Sequence, residues 1–184
     1  MKKTVLIVLL LLMINACSSC LPGALNMYGG VFNNDREIAN EKFERLIDLI
    51  QEKDKEAVKK LFAPNVMVDG MHLDESINAL FEYYQGELVS YNDWGGPGTE
   101  SSKEIDGSKK EIFYCSYDVI TTEQTYRIAM KQVITDTQES ENVGLWSFYI
   151  IRMGDDINSE YAYRGDGKYA PGVNIGIARN NSLT

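Results

Sequence analysis

The sequence predicts an α+β domain, with helices first and an antiparallel sheet after them. Between Asp35 and Tyr84 the apolar residues recur with the 3.6-residue period of amphipathic helices. From Glu87 to Met153 they alternate with a period of two, in runs rich in aromatic and β-branched residues. The length, 184 residues of which 44% are apolar and 24% charged, suits one such domain with short appendages.

The first helix runs from Asp35 to about Lys53. Ile38, Ala39, Phe43, Leu46, Ile47 and Ile50 form its apolar stripe, behind the cap candidates Asn33, Asn34 and Asp35. Asp54 is an N-cap for a second helix carrying Ala57, Val58, Leu61 and Phe62, which Pro64 stops. A third begins after Asp74, with Ile77, Leu80, Phe81 and Tyr84 on one face and Gly86 placed to end it.

Four strands follow, Glu87 to Trp94, Glu111 to Ile120, Tyr126 to Thr135 and Gly144 to Met153. Thr121 to Thr125 and Asp136 to Asn142 are hairpin connections, so the last three strands form a meander. Gly95 to Lys110 is expected to be a mobile surface loop rather than a lid. Alternation puts Phe113, Cys115, Tyr117 and Val119 on the core face of one strand. It does the same for Tyr126, Ile128, Met130, Gln132 and Ile134 on the next, and for Trp146, Phe148, Ile150 and Arg152 on the last. Arg127 and Lys131 lie opposite, as does Asp118, and the last strand is apolar on both sides.

Ahead of the domain stands a targeting segment. Lys2 and Lys3 precede an apolar run from Val5 to Ile14, followed by small and polar residues, the layout of a secretory signal peptide. Such a run reaches about 15 Å as a helix, half of the roughly 30 Å hydrocarbon layer, too short for an ordinary span. Ile14-Asn15-Ala16-Cys17 resembles the lipobox of bacterial lipoproteins. The resemblance implies cleavage before Cys17, whose thiol takes up diacylglycerol as a thioether and whose acyl chains, palmitate among them, anchor the protein outside the cytoplasm, in the cell envelope. Removal of residues 1–16 takes two lysines and no acid from a chain with net charge −9, and so leaves a still more acidic body. Such a body repels phosphate backbones, which excludes nucleic acid as a partner.

The expected organisation is a signal peptide over 1–16, the lipidated cysteine with a flexible tether over 17–33, the α+β domain over 34–153, and an irregular tail over 154–184 that packs on the domain or covers its opening. Cys17 and Cys20 form a C-x-x-C spacing but follow a signal segment rather than a strand feeding a helix, so a redox pair is disfavoured. Cys115 reads as a small buried thiol, and whether it pairs with Cys20 stays open.

The run Phe43-Glu44-Arg45-Leu46-Ile47-Asp48-Leu49-Ile50, the helix ending Leu61-Phe62-Ala63-Pro64 and the strand Gly144-Leu145-Trp146-Ser147-Phe148-Tyr149-Ile150 resemble the cone fold of the nuclear-transport-factor-two-like superfamily, over roughly Asp35 to Met153. Together with the lipobox and the tail Tyr169-Ala170-Pro171-Gly172-Val173-Asn174-Ile175-Gly176, they are similar to a family of bacterial lipoproteins whose domain has no assigned function. The resemblance implies a pocket between sheet and helices, used in relatives for catalysis or for binding alone.

Candidate pocket residues are Tyr84, Tyr117, Tyr126, Gln132, Trp146 and Arg152, with no carboxylate among them to act as the base of an isomerase-type site. His72, the single histidine, excludes paired-histidine metal sites and reads as an ordinary loop residue beside Asp74. Gly95-Gly96-Pro97-Gly98 lacks the lysine of a phosphate loop and reads as a turn. Asp155, Asp156, Asn158 and Glu160 miss the glycine a calcium loop needs and read as a solvated turn. Trp146 is expected in the core, and Trp94 is divided between core and surface site. No catalytic residue, metal or cofactor is assigned.

The function expected is therefore a lipid-anchored protein that binds a small molecule or an envelope protein without transforming it. A small enzyme of isomerase or hydrolase type, or an immunity-type protein-binding module, is the alternative. Homodimerisation is left open.

Overall fold

The computed structural model describes residues 23–68, 72–154 and 170–176, with side chains from Asn34 onward, Val68 excepted. The targeting segment, Cys17, Cys20, the acidic turn at 155–160 and the tail tyrosines Tyr161, Tyr163 and Tyr169 lie outside the described residues.

Helix α1 spans Gly23–Gln51, starting well before the expected Asp35. Its stripe of Ala39, Phe43, Leu46, Ile47 and Ile50 is buried, as the 3.6-residue period predicts. The chain leaves α1 through Lys53, which takes a positive φ of 54°, while the Asp54 N–H reaches back to the Leu49 carbonyl at 3.0 Å. Asp54 is then the N-cap of α2 (Lys55–Leu61), its Oδ1 accepting from the Ala57 N–H at 3.0 Å. Pro64 does more than stop α2. It opens the short helix α3 (Pro64–Val68), since at a first helical position its missing N–H costs nothing. Helix α4 (Leu73–Tyr83) buries Leu73, Ile77 and Leu80.

Six strands form one open, mixed sheet: β1 (Leu88–Asn92), β2 (Gly98–Lys103), β3 (Lys109–Thr121), β4 (Thr125–Asp136), β5 (Gly144–Arg152) and β6 (Gly172–Ile175). The expected meander is β3–β4–β5, all antiparallel. Two strands went unread. β2 lies inside the stretch expected to be a loop; its six residues are all exposed, so no apolar alternation marks it, and it is held by pairing Thr99 with Phe113 through Lys103 with Lys109. β6 pairs parallel with β5, Val173 opposite Phe148, so this part of the tail is a sheet strand rather than an irregular cover.

Strands β1 and β2 share one edge of β3, β1 along Asp118–Thr121 and β2 along Lys109–Tyr114. Between them the chain turns at Trp94 (φ 54°), Gly95 and Gly96, so the glycine cluster is a turn, as expected. Irregular register at Leu88/Ser90, Glu111/Ile112 and Lys131/Gln132 bends the strands.

One main core forms between helices and sheet, from the expected inward faces of β3, β4 and β5 together with the stripes of α1 and α4. A smaller cluster of Ala129, Tyr149 and Ile151, with Tyr114 and Ala170 against it, lies on the opposite face. This accounts for the apolar character of β5 on both sides: both faces of that strand are buried.

Candidate functional site

The second half of α1 presents Ile38, Glu41, Lys42, Arg45 and Leu46 on one face, because positions three, four, seven and eight apart line up on a helix. Opposite them stand Gln132, Val133 and Ile134 of β4 and the opening of β5 with Val143, Gly144 and Leu145; Leu61 closes the end. Between these elements is a cleft of about 300 Å³, the lower end of the range for small-molecule sites.

Two local features of the sequence build it. Gly144 has a φ of 136°, and a Cβ there would stand 2.8 Å from the Ala63 backbone nitrogen and 3.1 Å from the Leu61 carbonyl oxygen. The bare glycine lets β5 approach the α2–α3 junction closely enough for the Ala63 N–H to donate to the Leu145 carbonyl at 3.0 Å. Across the cleft, the irregularity between Lys131 and Gln132 breaks the regular alternation, so that Gln132 and Val133 are both buried.

Gln132 is 8% exposed, and its Oε1 has no hydrogen-bond partner among the described residues. An unpaired buried amide oxygen costs about 1–3 kcal/mol, and it lines the one wall of the cleft that is otherwise apolar. Lys42 and Arg45, both exposed, stand at the opposite wall with Glu41.

The other sequence-derived candidates do not line this cleft. Tyr117 is a core pillar: its ring stacks on Phe43 at 3.8 Å, and its hydroxyl sits 3.2 Å from the Ala39 carbonyl oxygen and 3.3 Å from Asn40 Oδ1. Tyr126 donates to the Tyr83 carbonyl at 3.0 Å and accepts from the Gln85 N–H at 2.7 Å, which fastens the end of α4 to the sheet. Tyr84 stacks on Tyr126 at 5.2 Å; burial raises its pKa, and its hydroxyl has no partner among the described residues. It borders a separate, open groove shared with Ile50, Phe81 and Leu88. Trp146 is half-buried against the core with Lys131 Nζ 5.4 Å from its ring. Arg152 donates to the Tyr83 carbonyl at 3.0 Å and lies 4.4 Å over the Tyr83 ring, a clamp between β5 and α4.

Asp118 points away from the core, as its register required, and pairs with Arg127 at 2.8 Å. Arg127 also lies 4.9 Å over Trp94, which is 37% exposed. His72 precedes α4 on the surface, 79% exposed, its Nδ1 3.3 Å from Glu75. Cys115 is buried and has no disulfide partner among the described residues, and desolvation pushes its thiol up to about 12.

A buried carboxylate escaped the sequence reading. Asp93, 5% exposed, accepts from Arg36 Nη2 at 2.7 Å, from Asn40 Nδ2 at 2.9 Å and from the Gly95 N–H at 3.2 Å. The hydrogen-bonded Arg36 guanidinium, aided by Asn40 and the Gly95 amide, holds its pKa down at about 2 against the cost of burial. The local signal was an Asp just before a glycine turn, a place where a carboxylate caps backbone amides; its partner Arg36 is far off in the chain and left no trace. Among the described residues no three His, Cys, Asp or Glu side chains gather to hold a metal ion.

No curated protein matches the chain significantly. Residues 45–153, more than half of the chain, match the model of a family described as a domain of unknown function, DUF5104. That match covers the cleft from Arg45 through Leu145 and the whole meander, and the chain belongs to this family.

Proposed function

We propose that this protein is an extracytoplasmic lipoprotein, anchored through Cys17, whose α+β domain is a cone of the nuclear-transport-factor-two-like kind and binds a small molecule without transforming it. Support for the anchor is the charged, apolar and small-residue succession ending at Ile14-Asn15-Ala16-Cys17. Support for the cone is a bent sheet with bulges in its register and helices on one face. The observation that carries the binding reading is the unsatisfied Gln132 amide oxygen in the otherwise apolar wall of the cleft. A ligand N–H or O–H would offset the cost of that orphan acceptor, so occupancy is favoured over emptiness.

Catalysis of the isomerase type is less well supported. It calls for a carboxylic acid kept neutral in an apolar site, whereas Asp93 is ionised and fully engaged by Arg36 and Asn40.

The full chain expressed in a bacterial host with its leader intact tests both parts. Native mass spectrometry of the purified protein should show a retained small molecule, present in a smaller fraction of Gln132→Leu molecules. A ligand turned over during incubation would replace binding with catalysis. Cys17→Ala should abolish lipid labelling and move the protein from the membrane fraction; continued labelling would remove the anchor assignment.

A further inference from the structure

We infer that the cleft takes a monoanionic amphiphile: an apolar body between Ile38, Leu61 and Val143, an N–H or O–H donated to Gln132 Oε1, and the anionic group at Lys42 and Arg45. This rests on the cleft-binding reading and adds the ligand's chemical class.

The apolar walls select a largely hydrocarbon body, and one buried acceptor fixes its orientation. The charge at the cleft carries the rest. The whole chain has net charge −9, yet the cleft carries the cations Lys42 and Arg45 against the single acid Glu41. Neither cation has a salt-bridge partner among the described residues, in contrast to Lys59 with Asp74 or Lys110 with Asp136. A cationic ligand would meet two like charges at the mouth, while an anion would meet the two basic side chains that the described fold leaves unengaged there. The acidic remainder of the surface also turns anions away elsewhere, so it adds discrimination by position.

A matched pair of fluorescent probes separates the class from the site. In 6-anilinonaphthalene-2-sulfonate a secondary amine N–H, bridging a phenyl ring to a naphthalene, and a sulfonate sit at opposite ends of the naphthalene. N-phenyl-2-naphthylamine keeps the rings and the N–H but is neutral. With the full chain, the sulfonate should bind saturably and about tenfold more tightly than the neutral probe, a preference that shrinks as salt rises. Both should perturb the amide resonances of Val133, Val143 and Leu145. The double variant Lys42→Gln/Arg45→Gln should remove the preference for the sulfonate. Gln132→Leu should weaken both probes by about fivefold, the worth of one hydrogen bond. Equal binding of the two probes at the cleft, unmoved by the double variant, would overturn the anionic class and leave the cleft standing. Resonance shifts confined to other residues, or none with either probe, would overturn both.

Discussion

The space between α1 and the sheet is filled at one end and open at the other. Toward Asn40 and Phe43, Phe43 stacks flat on Tyr117, Tyr91 meets both rings edge-on at 5.0 and 5.7 Å, and each buried polar group has a partner, Asp93 three of them. Toward Arg45 and Leu61 the same helix faces the Gln132 irregularity and the bare backbone of Gly144, and a cleft with an orphan acceptor remains. The two ends are built from one helix and neighbouring stretches of the same strands. Large aromatic rings with satisfied hydroxyls make a scaffold, whereas a bulge and a glycine make room for something else.

The largest effect should come from emptying the filled end. Phe43→Ala removes a ring with no exposed surface and its stack on Tyr117, and should lower unfolding free energy by about 3–5 kcal/mol in a denaturant titration. A loss under about 1 kcal/mol would mean that the packed end is not the scaffold.

Gly144→Ala attacks the open end through its backbone. A Cβ 2.8 Å from the Ala63 nitrogen forces β5 away from the α2–α3 junction, on top of the strain of a φ of 136°. The expected cost is about 3 kcal/mol, read as a drop in Tm, with loss of probe binding at the cleft. A variant with unchanged melting would show that the close approach there is dispensable.

Acid should act on the filled end. The Asp93 pKa is about 2 in the folded protein, below the ordinary carboxylate value near 4 that it regains on unfolding. Its contribution is present above that unfolded value and is lost as pH falls from about 4 toward 2, on the order of 2 kcal/mol. Asp136, also near 2 through the Glu139 amide and Lys110, falls away over the same window. Asp93→Asn should lower stability at neutral pH and flatten this acid limb; a limb of unchanged slope would assign acid sensitivity to other groups.

The smallest effect has the opposite sign. Gln132→Leu removes a buried acceptor without a partner, so stability should rise by about 1 kcal/mol while the cleft loses its polar anchor. A fall in chemical-denaturation midpoint would mean that the amide is engaged in the free protein.

Much of the scaffold was legible because its signals are local. The α1 stripe, the Asp54 cap and the inward faces of β3 to β5 each follow from a short window of residues, and each is observed. Strand β2 was illegible because a strand exposed on both sides has no reason to alternate, and β6 because a parallel partner comes without a hairpin. Of the six pocket candidates only Gln132 lines the cleft. Period-two alternation correctly turned Tyr117 and Tyr126 inward, but inward meant interior here, with both hydroxyls bonded to main chain.

The sequence by itself determined which residues avoid water, because burial preference is written in the spacing of apolar side chains along each element. Tertiary structure alone decided where that avoidance leaves a gap. The cleft depends on how far β5 can approach Ala63, on where β4 departs from its regular register, and on which face of α1 stands over both. Those distances arise between segments far apart in the chain, and no window of neighbouring residues contains them.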